Sequence, residues 1–374
     1  MLKIIAPSTA MIAVNYTFAR FSFGLFLPYI IASLSLSEQE AGYVGTMGYL
    51  SFTLALLVSS SLIKTIGTFK VTQIAGFSAV TGLAGIALAS NVYILGLGVF
   101  TAGLGSGLSS PVYSRIVDQS FSDEWKDRGN SWINSGTSFG MIISGPVALL
   151  FAAYWRRAFL FFALLALVVS LWNAWAIPDF KSSKETVKKT KLTVTHLFSR
   201  GNRLILASLV TGLASAIFWT FSRQAVVVNH GFTDSTSALF WVTMGVAGIA
   251  GGRAGNLIES RGIQYAFRLF LAILNVAIMM LAAPIGWTAY LSAVLYGIAY
   301  IAVTGSLLVI GTRQFPHAPQ TGVSLAFLSL GIGQTIGTSV AGLVIGWTGY
   351  PMSFLLFGLA GFSGLFISFH KNAN

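Results

Sequence analysis

Apolar residues fill this chain in long runs, and short polar stretches separate them. A helix that crosses the hydrocarbon of a bilayer needs about 20 mostly apolar residues. By that measure the pattern predicts twelve spans, near 9–33, 41–63, 71–89, 92–114, 131–153, 158–177, 204–228, 238–258, 266–284, 288–310, 320–346 and 350–369. Most connections are short. Two are longer: 115–130, and 178–203, which contains KSSKETVKKTK. The second divides the spans six and six. The expected domains are an N-terminal six-helix bundle over 1–177, a solvated basic linker over 178–203 and a C-terminal six-helix bundle over 204–374.

Composition points the same way. Only 9% of the 374 residues are charged and 55% are hydrophobic, against about 25% charged in a soluble domain. Mean hydropathy is +0.78. Cysteine is absent, which excludes disulfides, thiolate catalysis and cysteine metal sites. The first apolar run starts almost at Met1 and ends at an acidic loop, so it is expected to be a retained span rather than a cleaved signal.

The formal charge of +12 invites a nucleic-acid reading. The positive residues cluster instead in short loops between apolar runs, as topogenic charge does, and no nucleic-acid partner is expected. With the N-terminus inside, Lys3, Lys64, Lys70, Arg115, Arg313 and the linker lysines fall on the inner side, and only Arg156 and Arg157 on the outer. That asymmetry predicts a multi-pass protein of the cytoplasmic membrane with both termini in the cytoplasm. Its expected partners are the lipid bilayer and a small-molecule substrate, and it is expected to work as a monomer.

Short strings recur in corresponding spans. YTFAR (16–20) in the first span matches WTFSR (219–223) in the seventh. SSLIKTIG (60–67) after the second matches GNLIESRG (255–262) after the eighth. Ser114-Arg115 ends the fourth, and Thr312-Arg313 the tenth. Gly129, Ser131 and Gly140 match Gly322, Ser324 and Gly333, and Trp155 and Trp347 follow. One order and one period, near 195 residues, argue for two duplicated six-helix halves. Corresponding helices run the same way, so the repeat is parallel, about an axis along the membrane normal.

These residues give the chain its resemblance to the transporters of the major facilitator superfamily. The family's loop signature after the second helix is G-x-L-x-D-R-x-G-R-[RK]. Gly255, Leu257, Glu259 and Gly262 match it in the second half, with Glu for Asp. In the first half Leu62 and Gly67 fit, while Ser60 and Lys64 replace Gly and Asp. Gly136, Gly140 and Gly145-Pro146 loosely resemble the glycine-proline motif of family antiporters. The resemblance implies a cytoplasmic gate in this loop, to which Glu259 contributes more than Lys64. Candidate gate residues are Glu259, Gly255, Gly262 and Gly67, with Arg115 and Arg313.

Enzyme constellations are missing. The four histidines fall in loops or at helix ends without metal-type spacing, and no metal or cofactor is expected. The run Gly103, Gly105, Gly107 lies inside an apolar helix, so helix packing is expected there rather than phosphate binding. All ten Asp and Glu also fall in loops or at helix ends, whereas proton-driven transporters usually keep a carboxylate within the bundle.

Arg20, Arg223 and Arg253 are the basic residues inside spans. Arg253 lies close enough to the end of its helix to snorkel. Arg20 is near the middle of the first span and Arg223 about a turn outward of the middle of the seventh. Each costs about 2.5–3.5 kcal/mol on insertion scales, so a compensating use is expected. Tyr16 and Trp219, one turn earlier, share their faces. In the superfamily the first, fourth, seventh and tenth helices line the central path. The resemblance thereby adds Tyr296 and Tyr300, which share a face; Trp132, Asn134 and Gln334 complete the candidate lining. A guanidinium favours carboxylate or phosphate through paired hydrogen bonds. The arginine pair also resembles organophosphate-exchanging members of the superfamily.

The expected function is alternating-access transport of a small anionic solute, with Arg20 and Arg223 as its ligands. The alternatives are a proton-coupled drug or metabolite exporter of the same fold and a transporter-like solute sensor.

Overall fold

The computed structural model describes residues 2–151, 154–178, 194–252, 254–316 and 318–369. Among them every regular element is a helix. In chain order these are α1 Leu2–Leu34, α2 Glu38–Ala87, α3 Val92–Ser120, α4 Asp123–Asn134, α5 Gly136–Phe151, α6 Trp155–Ala176, α7 Val194–His230, α8 Asp234–Gly251, α9 Ala254–Arg261, α10 Ile263–Met280, α11 Gly286–Gln314 and α12 Pro319–Phe362. The all-α membrane architecture read from the sequence is what the chain adopts.

Nine helical stretches among the described residues are long and apolar enough to cross a membrane. Two of them, α2 and α12, are kinked where Gly67 (φ 85°, ψ 164°) and Gly349 (φ 75°, ψ 173°) leave helical geometry. The sequence expects a break between spans at both places. The expected span 238–258 is met by α8 and α9, with Arg253 outside the described residues. The expected span 131–153 falls within one helical stretch, Glu124–Phe151, in which Ser135 keeps helical geometry between α4 and α5 and its N–H donates to Ser131 O at 3.0 Å.

The lysines of the expected linker lie outside the described residues, but its last ten do not form a solvated loop. The helix of α7 already begins at Val194. Backbone hydrogen bonding in a helix does not stop at the edge of the hydrocarbon, so a polar stretch with no proline or strong cap extends the helix.

Local sequence explains the helix starts. Before α2, Ser37 and Glu40 form a capping box: Glu40 N–H donates to Ser37 Oγ at 3.2 Å, and Ser37 N–H to Glu40 Oε2 at 2.9 Å. At α3 the Asn91 Oδ1 accepts from Tyr93 and Ile94 N–H. Gly262, before α10, has φ 86° and ψ 157°, almost the values of Gly67. The two glycines that match in the repeated loop string therefore share one backbone conformation, which a side chain makes strained.

Two compact units divide the chain. One comprises Met1–Lys184 with Thr233–Val242, the other Glu185–Phe232 with Thr243–Asn374. In the first, α2 packs on α3 and α6. The glycine run of α3 lets helices approach closely. A Cβ at Gly103 would meet Gly48 O and Ser51, one at Gly105 would meet Asn15 and Ala75 O, and one at Gly107 would meet Phe52 O. The packing reading of that run holds. Arg156 ties the ends of α1, α2 and α6 together, donating to Ser33 Oγ at 3.0 Å and Ala89 O at 2.8 Å while lying over the Trp155 ring. In the second unit α7 packs mainly on α12, and α10 on α11 and α12.

Candidate functional site

Among the described residues, Arg20 and Arg223 are the charged side chains that are buried, at 8% and 1% exposure. Their sequence surroundings are nearly the same, but their backbones differ. WTFSR lies in α-helix, whereas YTFAR lies in a π-helical stretch, Ala13–Phe21, in the middle of α1. There Ser22 N–H donates back to Thr17 O, a step of five residues. Such stretches are rare and concentrate at functional sites.

Three neighbouring helices fix this stretch. Asn15 Nδ2 donates to Ser109 Oγ of α3 at 2.9 Å, and the Tyr16 hydroxyl lies 2.8 Å from Ser110 Oγ. Thr17 Oγ1 donates to Thr137 O of α5 at 2.8 Å. Arg20 turns to α2. Its guanidinium carbon is 3.9 Å from the Phe52 ring centre and 4.7 Å from that of Tyr49, with Phe21 and Tyr16 at 5.3 and 5.9 Å. Ring faces attract a desolvated cation by up to about 2 kcal/mol, which offsets much of the cost of bringing it there.

Of the residues singled out in sequence, Tyr16 therefore stands beside Arg20. Tyr49, Phe52 and Phe21 were missed. The signal was present as an aromatic pair three residues apart, Tyr49 and Phe52, in the second span.

A second group forms around Trp219 of α7. Its ring is edge-on to Tyr296 at 5.6 Å and Tyr300 at 5.0 Å, both on α11. The two tyrosines lie nearly parallel, 5.8 Å apart. Tyr296 stacks on Phe218 and donates to Ser215 O at 3.1 Å. Gln334 of α12 donates to the Tyr300 hydroxyl at 3.1 Å. Trp219, Tyr296, Tyr300 and Gln334 are thus brought together, and Phe218 and Ser215 join them. Arg223 follows one turn after Trp219 on α7.

Trp132 and Asn134 belong to neither group. Both stand exposed on α4, where Thr9 Oγ1 donates to Trp132 O. Of the candidate gate residues, Gly255, Glu259, Gly262 and Arg313 are exposed, Arg115 is half-buried and Gly67 is buried. Lys64 is exposed.

Comparison with known proteins follows from this geometry. The model of the Major Facilitator Superfamily matches residues 9–327. The transcription regulatory protein OpdE of Pseudomonas aeruginosa is 25% identical over 339 residues, covering 84% of this chain and 80% of its own. The sialic acid transporter NanX of Escherichia coli is 27% identical over 193 residues, which is 50% of this chain and 47% of its own. Among solved structures, a mutant of the nucleoside transporter NupG matches with a TM-score of 0.81 over 97% of this chain and 98% of its own, at 14% identity. At that identity the match speaks for the fold.

Proposed function

The chain belongs to the Major Facilitator Superfamily, and from that premise we propose that it is a secondary transporter whose substrate is a small anion held by Arg20 and Arg223. The observation that carries this reading is Arg20 itself: a buried guanidinium within a membrane span, faced by aromatic rings. A guanidinium stays charged in a protein, and an oxyanion is drawn to it. The planar fork suits a carboxylate or phosphate, two parallel hydrogen bonds at a time. Beside Arg20, Tyr16 supplies a ring face for the rest of the ligand.

NanX is named for sialic acid, whose carboxyl group is ionised at neutral pH. That supports a carboxylated solute for this chain. Transport proceeds by alternating access in the cytoplasmic membrane, with both termini inside and Glu259 serving the cytoplasmic gate.

The test is binding by the purified chain of sialic acid against its methyl ester, beside a panel of small carboxylates, phosphates and their neutral analogues. Stabilisation by charged members and not by neutral ones supports the proposal. Neutral ligands alone binding, with Arg20→Gln indifferent, would overturn it. OpdE, named a transcription regulatory protein, favours a second reading in which solute binding is signalled to a partner. Substrate accumulation in liposomes holding only this chain separates the two.

A further inference from the structure

Three arginines of the second unit make contacts with α10 or with the segment that packs beside it. Arg261 is exposed; its Nη1 donates to the Tyr265 hydroxyl at 3.2 Å, and its guanidinium carbon is 5.3 Å from that ring. Arg268 Nη2 donates to Ser368 Oγ at 3.0 Å, and Arg203 Nη1 donates to Ser368 O at 2.7 Å. Two guanidiniums thus converge on one neutral residue just beyond the last helix. Gln264 holds the same segment, donating to Ile367 O at 3.0 Å and accepting from Phe369 N–H at 2.7 Å. The contact to Ser368 uses one of the five N–H groups of Arg268. Arg268 Nε is buried and, among the described residues, donates to no protein atom. Glu259 is the only acidic residue in the sequence after Asp234, so the group keeps a positive balance.

Its depth can be read from α10. The helix has 18 residues, about 27 Å at 1.5 Å each, close to the hydrocarbon thickness of about 30 Å. Its first turn therefore lies where hydrocarbon gives way to headgroups, with Arg261 and Tyr265 at that level. Arg268 starts deeper and reaches back toward Ser368. Below Tyr265, the helix exposes Leu269 and Val276, at 36% and 44%. These three positions share one face, so a stripe of apolar surface runs inward from the basic group.

We propose that this group is a binding site for an anionic phospholipid. The phosphate lies on Arg261 and Arg268, with Arg203 behind them, and one acyl chain runs along Tyr265, Leu269 and Val276. Charge complementarity supplies the first contact, and the exposed stripe beneath it distinguishes a lipid from a free phosphate. The proposal is independent of what the protein transports.

The experiment uses the full chain, delipidated in detergent and offered phosphatidylglycerol or phosphatidylcholine, with retained lipid counted by native mass spectrometry. At the usual contribution of a basic residue near an anionic surface, two arginines give a preference for phosphatidylglycerol of about thirtyfold. Arg261→Gln with Arg268→Gln is expected to abolish most of it, while Arg268→Lys, which keeps the charge, retains part. Melting without lipid shows whether the variants are folded. Equal retention of the two lipids by the wild-type chain would overturn the proposal without any variant. So would displacement of phosphatidylglycerol by equimolar glycerol phosphate, which would make the site one for free phosphate. An unchanged preference in the folded double variant would place the lipid elsewhere and equally refute the assignment.

Discussion

The guanidinium carbon of Arg20 lies 3.9 Å from the centre of the Phe52 ring, one helix away. This contact makes the Arg20 side chain part of a packed interface between α1 and α2. Phe52→Leu keeps an apolar side chain and removes the ring face. It is expected to destabilise the protein by about 1–2 kcal/mol, seen as a lower melting temperature in detergent. No shift would mean that the ring is a neighbour and not a support.

Arg20→Lys keeps the charge and loses the fork. Anion binding should weaken by about tenfold, because a point charge cannot make two parallel bonds to one carboxylate. Arg20→Gln and Arg223→Gln are each expected to abolish transport in liposomes. If both variants fold and transport normally, the arginines are structural and the substrate is not bound through them.

Gly262 has φ 86°, and no atom stands within 4 Å of where a Cβ would lie. Gly262→Ala therefore isolates backbone strain from crowding. The expected cost is about 1–3 kcal/mol, and Gly67→Ala, at nearly the same φ and ψ, should cost a similar amount. A neutral Gly262→Ala would show that the loop relaxes to another conformation.

Glu259 and Lys64 occupy matching places in the repeated loop string, and both are exposed. Glu259→Gln is expected to slow transport and shift the conformational balance, because a carboxylate there can pair with a helix N-terminus or a loop arginine. Lys64→Gln should change little. Equal, mild effects in uptake assays would mean that the loop has lost its gating role.

Protease-cleavable tags at Asn374 and within Lys184–Lys191 are expected to resist an external protease in intact cells and to be cut after lysis. Cutting of either in sealed cells would reverse the assigned orientation.

The spans were legible because hydropathy decides what a bilayer accepts, and the kinks at Gly67 and Gly349 fall where polar residues interrupt the apolar runs. The matched loop strings put a glycine at 67 and at 262, and the two share one conformation, which only glycine adopts cheaply. The spacing of four that put Tyr296 and Tyr300 on one face also holds. What hid was set by neighbours. Nothing in YTFAR separates it from WTFSR, yet the first is π-helical and the second α-helical. The difference depends on what Asn15, Tyr16 and Thr17 meet on α3 and α5. Phe52 was overlooked because attention fell on the helices that line the path in the superfamily. Trp132 and Asn134 stand exposed on α4, a facing that residue type alone does not give.

The π-helical stretch Ala13–Phe21 also bears on how this gene can change in length. Bonding over five residues instead of four takes up one surplus residue while leaving the helix on either side in place. Loss of one codon within 13–21 would let the stretch revert to ordinary α-helix, with Pro7 and Pro28 at either end undisturbed. The same loss inside α3 would turn everything beyond it by roughly 100° and drive its glycines out of contact with α2. A one-residue deletion there that spares Tyr16 and Arg20 should therefore disturb folding less than one inside α3.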